Sequence, residues 1–179
     1  AWLPDRIGLT GSGWEVALVA LPWLLVVAVA LLRWRWLATP LGAAFDPWRA
    51  RLCAAQFAVL ALWWLGSLFQ PGDAAPLPWL PVLNPMELAQ AAALALALRW
   101  RMGDARVLPQ NQRLALAIAG FAWITSVVLH AVHHWGGQPW DAGMLSGSLA
   151  QTSLTVTWSV LGVIGWVVGS RRGLRMLWL

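Results

Sequence analysis

Residues 14–36 read Trp14-Glu15-Val16-Ala17-Leu18-Val19-Ala20-Leu21-Pro22-Trp23-Leu24-Leu25-Val26-Val27-Ala28-Val29-Ala30-Leu31-Leu32-Arg33-Trp34-Arg35-Trp36. From Val16 to Leu32 no side chain carries a charge. A helix of about 20 apolar residues crosses the hydrocarbon core of a bilayer, which is roughly 30 Å thick. The run stops at alternating arginine and tryptophan, and cation and indole both suit the headgroup layer. Pro22 lies inside it and predicts a kink, which neighbouring helices can tolerate by re-satisfying the freed carbonyl.

The remaining sequence repeats that pattern. Of 179 residues, 60% are hydrophobic and 11% charged, whereas a soluble domain carries roughly 25% charged residues. There is too little polar surface here to cover a globule in water. Further apolar runs extend over 52–69, 84–101, 114–132 and 149–168. Between the first two lies a polar turn, Thr39 to Arg51, with Pro40, Asp46 and Pro47. Gln70-Pro71-Gly72-Asp73 ends the second run as a turn signal. Pro76, Pro78 and Pro81 around Trp79 exclude a regular helix from residues 74–83, and that stretch is expected along the outer interface. At Asn84-Pro85-Met86-Glu87 a cap, a first-turn proline and a capping-box acid coincide. The helix they open reaches Arg101, or roughly 27 Å at 1.5 Å per residue, just enough to span. An interfacial turn from Asp141 is expected to precede the last run. The sequence therefore predicts an all-α polytopic bundle of about five spanning helices at 14–32, 52–69, 84–101, 114–132 and 149–168, forming a single transmembrane region. Ala1 in place of Met and an end just after an arginine-rich turn suggest part of a longer protein.

Charge sets the orientation. All twelve basic residues are arginine. Arg33, Arg35, Arg49, Arg51, Arg99, Arg101, Arg106, Arg113, Arg171, Arg172 and Arg175 fall on one side of the alternating spans, and Arg6 on the other. The positive-inside rule makes the rich side cytoplasmic, so the N-terminus is expected in the periplasm and the C-terminus in the cytoplasm. A pI near 11.5 invites a nucleic-acid partner. The arginines flank apolar runs instead of lining one exposed face, which excludes it. Leu32-Arg33-Trp34-Arg35 and Leu98-Arg99-Trp100-Arg101 echo one another. Two inner-leaflet helix ends explain the echo more simply than a parallel repeat. Cys53 is the only cysteine, so no internal disulfide forms, and a buried, inert thiol is expected.

Polar groups are costly inside a membrane and tend to face a bundle interior. Here they gather on the predicted outer side. Glu87 and Gln90 open the third span, His130, His133 and His134 end the fourth, and Asp141 follows in the loop. His130 and His134 share a helix face if the helix continues. The set suits acid–base work, with Glu87 or Asp141 orienting a histidine. It also suits metal binding, or a purely interfacial role toward water, backbone and lipid headgroups. No metal ligand is assigned, and no cofactor is identified. Small and polar side chains make helix-packing stripes: Ala89, Ala93 and Ala97 on the third span, and Gln151, Thr155, Ser159 and Gly162 on the fifth, with Gly165 and Gly169 near its end. The expected partners are the lipid bilayer and other transmembrane helices, of this chain or of a larger protein. Trp14, Trp34, Trp36, Trp79, Trp100, Trp135, Trp140 and Trp178 are read as interfacial belt residues.

Two segments resemble a known family. One runs from Ala75 through Pro76-Leu77-Pro78-Trp79-Leu80-Pro81-Val82-Leu83-Asn84-Pro85-Met86-Glu87-Leu88-Ala89 to Gln90, the other from Leu129 through His130-Ala131-Val132-His133-His134-Trp135-Gly136-Gly137-Gln138-Pro139-Trp140 to Asp141. Both look like hallmarks of the bacterial membrane proteins called domain of unknown function 2339. Gln151 and Arg171-Arg172 are similar too. The resemblance spans most of the chain, although family members are longer, with further spanning helices. It implies a bacterial inner-membrane protein connected with the cell envelope, and it carries over no activity and no catalytic residue. The function expected is that of an integral inner-membrane protein with a periplasmic His/Glu/Asp cluster. Alternatives are a transporter or lipid- or glycan-modifying enzyme at the outer leaflet, and a haem- or metal-binding membrane subunit.

Overall fold

Helix α1, Gly13–Leu32, begins where Ser12 accepts the backbone N–H of Glu15 at 3.4 Å, and it runs through Pro22 without interruption. The computed structural model describes residues 12–39, 41–103 and 108–171. Arg6, Pro40, Arg106, Arg172, Arg175 and Trp178 lie outside the described residues. At Arg33 the backbone leaves helical geometry (φ −139°), and a short α2, Trp34–Ala38, follows. The last carbonyls of α1 would be left open. Arg49 covers two of them, donating from Nε to Ala30 O at 3.2 Å and from Nη2 to Leu31 O at 3.4 Å. A 3₁₀ turn, Gly42–Trp48, leads into α3, Arg49–Ser67.

The proline-rich connection is non-helical, as its composition demands, yet it is not a loose strap. Ala74 and Trp79 are buried. Gly13 N–H donates to Asp73 O at 2.7 Å, and the Trp14 indole donates to Ala74 O at 3.2 Å. A Cβ at Gly13 would stand 2.7 Å from that same Asp73 oxygen, so only glycine lets the two segments approach this closely.

Helix α4, Pro85–Met102, carries the capping arrangement read from the sequence, with one change. Asn84 Oδ1 accepts the Glu87 N–H at 3.0 Å. The Glu87 carboxylate reaches past Asn84 to accept the N–H of Val82, a residue at φ 69°. Helix α5, Gln110–Gly136, is longer than the apolar run within it. It carries His133, His134 and Trp135, past the expected end of the span at residue 132. Nothing in that stretch breaks a helix until Gly136-Gly137, where Gly137 takes φ 66°. A 3₁₀ turn, Met144–Ser146, precedes α6, Ser148–Arg171.

The fold is all-α, with no strand among the described residues. Among the described residues, four segments are long and apolar enough to cross a membrane: Gly13–Leu32, Gly42–Ser67, Gln110–Gly136 and Ser148–Arg171. Helix α4 carries Glu87, Arg99 and Arg101 within 18 residues and is the least lipid-like of the long helices. It packs against α1 and α3 in the first of two compact units, residues 1–124. The core there joins Ala20, Leu24 and Val27 of α1, Leu60 and Trp64 of α3, and Ala89 and Ala93 of α4. The second unit, residues 125–179, centres on Val132, Met144 and Ala150.

Exposed side chains identify the solvent. Leu62, Phe69, Leu114 and Ile118 are each 60–78% exposed, and only 11% of the most apolar window of α6 is buried. Apolar surface on this scale is untenable in water and is what a hydrocarbon-facing bundle presents. The protein is a multi-pass membrane protein in contact with lipid.

Candidate functional site

In the first unit the polar side chains Ser67, Asn84, Glu87 and Gln90 are all at most 2% exposed. Helix α4 brings Glu87 and Gln90 inward one turn apart, and the end of α3 supplies Ser67. Gln90 Nε2 donates to Ser67 Oγ at 2.8 Å, and Ser67 Oγ donates to Trp64 O at 2.8 Å. Two atoms of this set, Gln90 Oε1 and Asn84 Nδ2, are buried with no hydrogen-bond partner among the described residues. A polar group deprived of water and of a partner costs about 1–3 kcal/mol. Each such atom is one that a water or a polar ligand atom would satisfy. Glu87 itself works at the helix start, tying Val82 to the first turn of α4.

The second unit contains the three histidines. His130 is fully buried, and its ring stacks on Trp140 at 4.9 Å with an interplanar angle of 29°. His133 meets the same indole edge-on at 5.8 Å and His134 at 4.6 Å. His133 Nδ1 lies 2.6 Å from the carbonyl oxygen of Gln138. A carbonyl can only accept, so Nδ1 carries the hydrogen, and in the neutral ring Nε2 keeps its lone pair.

Asp141, expected to orient a histidine, has one carboxylate oxygen engaged in its own turn. Its Oδ1 accepts the N–H groups of Gly143 at 2.8 Å and Met144 at 3.1 Å, which fixes the turn before α6. A short polar side chain in a turn satisfies the nearest backbone donors first. The Gln138 carbonyl takes the orienting role on His133. Trp140, read as a belt residue, also forms a wall of the histidine cluster. The sequence signal that would have found both is Gly136-Gly137, because a chain reversing there lays residues 138–140 back on the last turn of α5.

Among the described residues no group of three or more His, Cys, Asp or Glu side chains is arranged to hold a metal ion. Of the packing stripes, Ala89 and Ala93 are buried and Ala97 half-buried. On α6, Gln151, Thr155, Ser159 and Gly162 are exposed, Gly165 is half-buried and Gly169 buried. Thr155 Oγ1 donates to Gln151 O at 2.7 Å, so the hydroxyl is satisfied within its own helix.

A family model described as "Predicted membrane protein (DUF2339)" matches residues 1–179. No curated protein and no solved structure matches the chain.

Proposed function

Because the chain belongs to the DUF2339 family of predicted membrane proteins, we propose that it is the helical-bundle part of a bacterial inner-membrane protein with an acid–base histidine site at its periplasmic rim. His133 is the proton-transferring group. His130, His134 and Trp140 shape its surroundings, and the substrate class is the headgroup of an envelope lipid or glycan at the outer leaflet. Glu87 and Gln90 form a buried polar set at the start of α4. The orientation follows from the eleven arginines assigned to the cytoplasmic side.

One observation carries the reading. The 2.6 Å contact between His133 Nδ1 and Gln138 O holds the ring in a single tautomer with Nε2 as the basic atom. His133 is half-buried, so the ring is positioned by the protein without being sealed from substrate. A histidine held in this way contributes about 10²–10⁴-fold as a general acid or base.

The test is complementation of a strain lacking the gene, scored by detergent sensitivity of the envelope. His133→Ala should abolish rescue while the protein stays at wild-type level in the membrane fraction. Asp141→Asn keeps the Oδ1 acceptor of its turn and should rescue fully. Full rescue by His133→Ala would refute an acid–base role. Loss of protein and rescue together, in His133→Ala and in His133→Gln, would make the cluster structural.

A further inference from the structure

The arginine-rich end of the first unit carries two adjoining cavities that the histidine site does not use. One, of about 380 Å³, is lined by Asp46, Arg49, Cys53, Arg99 and Trp100 among others. The second, of about 370 Å³, runs between α3, α4 and the first half of α5, with Leu60, Trp64, Ala93, Ala97 and Leu116 among its walls. Both volumes fall in the range of small-molecule sites, roughly 300–1,000 Å³. Trp100 lines both cavities, and its ring is held by stacking on Phe57 at 4.6 Å. A charged compartment thus adjoins an apolar one across a single indole.

The charged compartment is short of anions. It holds two guanidinium groups and one carboxylate, and Asp46 Oδ1 is already taken by the Trp34 indole N–H at 2.6 Å. Arg49 donates to backbone carbonyls of α1, and Arg99 Nη1 donates to Gly103 O at 2.9 Å. Neither arginine pairs with a carboxylate among the described residues, and further N–H groups of both remain for an anion. Arg101, at the same end of the apolar groove, lies over Trp100 at 5.0 Å.

We propose that these cavities form one site for an anionic phospholipid, with the phosphate at Arg49 and Arg99 and one acyl chain along the groove past Ala97. Under the orientation proposed above, the lipid belongs to the inner leaflet. Guanidinium groups match phosphate oxygens in geometry and charge. Basic pockets between helices on the cytoplasmic side bind anionic lipid headgroups. The groove opens to hydrocarbon, where an acyl chain is the occupant at hand.

Native mass spectrometry of the purified chain tests this, with equal amounts of phosphatidylglycerol and phosphatidylcholine of matched chains. Phosphatidylglycerol adducts should dominate about tenfold or more. Arg99→Gln should cut that preference about fivefold. Arg99 bonds only a backbone oxygen, so the fold should survive. If that variant fails to fold, Arg101→Gln should lower the preference in the same direction. Ala97→Phe, which fills the groove, should reduce occupancy by both lipids. Equal retention of the two lipids by the wild type would overturn the proposal, as would no effect of Ala97→Phe. Glycerol 3-phosphate displacing the lipid at comparable concentration would make this a site for a soluble phosphate ester. A dimer lacking adducts would show the groove closed by a second copy.

Discussion

Gln90 holds one hydrogen bond and lacks another, and that asymmetry gives a signed prediction. Ser67→Ala removes the acceptor of Gln90 Nε2 and leaves a second orphan atom on a fully buried amide, so it should destabilise by about 1–3 kcal/mol. Gln90→Leu removes the orphan acceptor and the donor together, while Ser67 Oγ keeps its bond to Trp64 O. It should cost less than Ser67→Ala, and thermal unfolding of the two variants in detergent decides the order. A loss from Gln90→Leu larger than from Ser67→Ala would mean that something outside the described residues satisfies Oε1. Asn84→Ala should cost about 1 kcal/mol, the ordinary loss of an N-cap, measured by the same unfolding curves. Asn84, Pro85 and Glu87 were all legible as a helix start. That the carboxylate binds Val82 was not, because the partner depends on how the proline-rich stretch folds back.

Among the helices, α4 bears the most structural load for its length. Its 18 residues carry three charges, and its alanines face the core that α1 and α3 share with it. Close approach there depends on small side chains. Ala93→Leu should force the interface apart and cost about 1–3 kcal/mol, measured as a lowered melting temperature. An unchanged melting temperature would show that α4 packs loosely. Helix α5 makes the complementary point. Its apolar run stops near Val132, but the helix ends only at Gly136, four residues past the expected end of the span. Hydropathy reports solvent, whereas helix termination reports backbone chemistry, and at this helix end the two fall several residues apart.

For the molecule as a whole, orientation is the testable quantity, and Cys53 simplifies the experiment because it is the sole cysteine and is buried. With Cys53 replaced by alanine, Ala142→Cys places a thiol in the exposed loop before α6, and Ala44→Cys places one in the exposed turn before α3. A membrane-impermeant maleimide should label Ala142→Cys in spheroplasts and Ala44→Cys only after lysis. The reverse pattern would invert the topology, and with it the leaflet assigned to both proposed sites. Arg49, at the start of α3, and Arg99, in the last turn of α4, line one cavity, so these two helix ends lie at one end of the first unit.

The sequence by itself determined the solvent, the all-α class and the helix start at Asn84. Each follows from local composition or from spacing along one helix, where the chain's own covalent geometry dictates the neighbours. Tertiary structure alone decided which polar groups became partners. It gave His133 to the Gln138 carbonyl, Asp141 to its own turn, Trp140 to His130, and Arg49 with Arg99 to one cavity. Those pairings depend on where the chain reverses and which helices pack together, and many spatial arrangements are compatible with the same pattern of apolar runs.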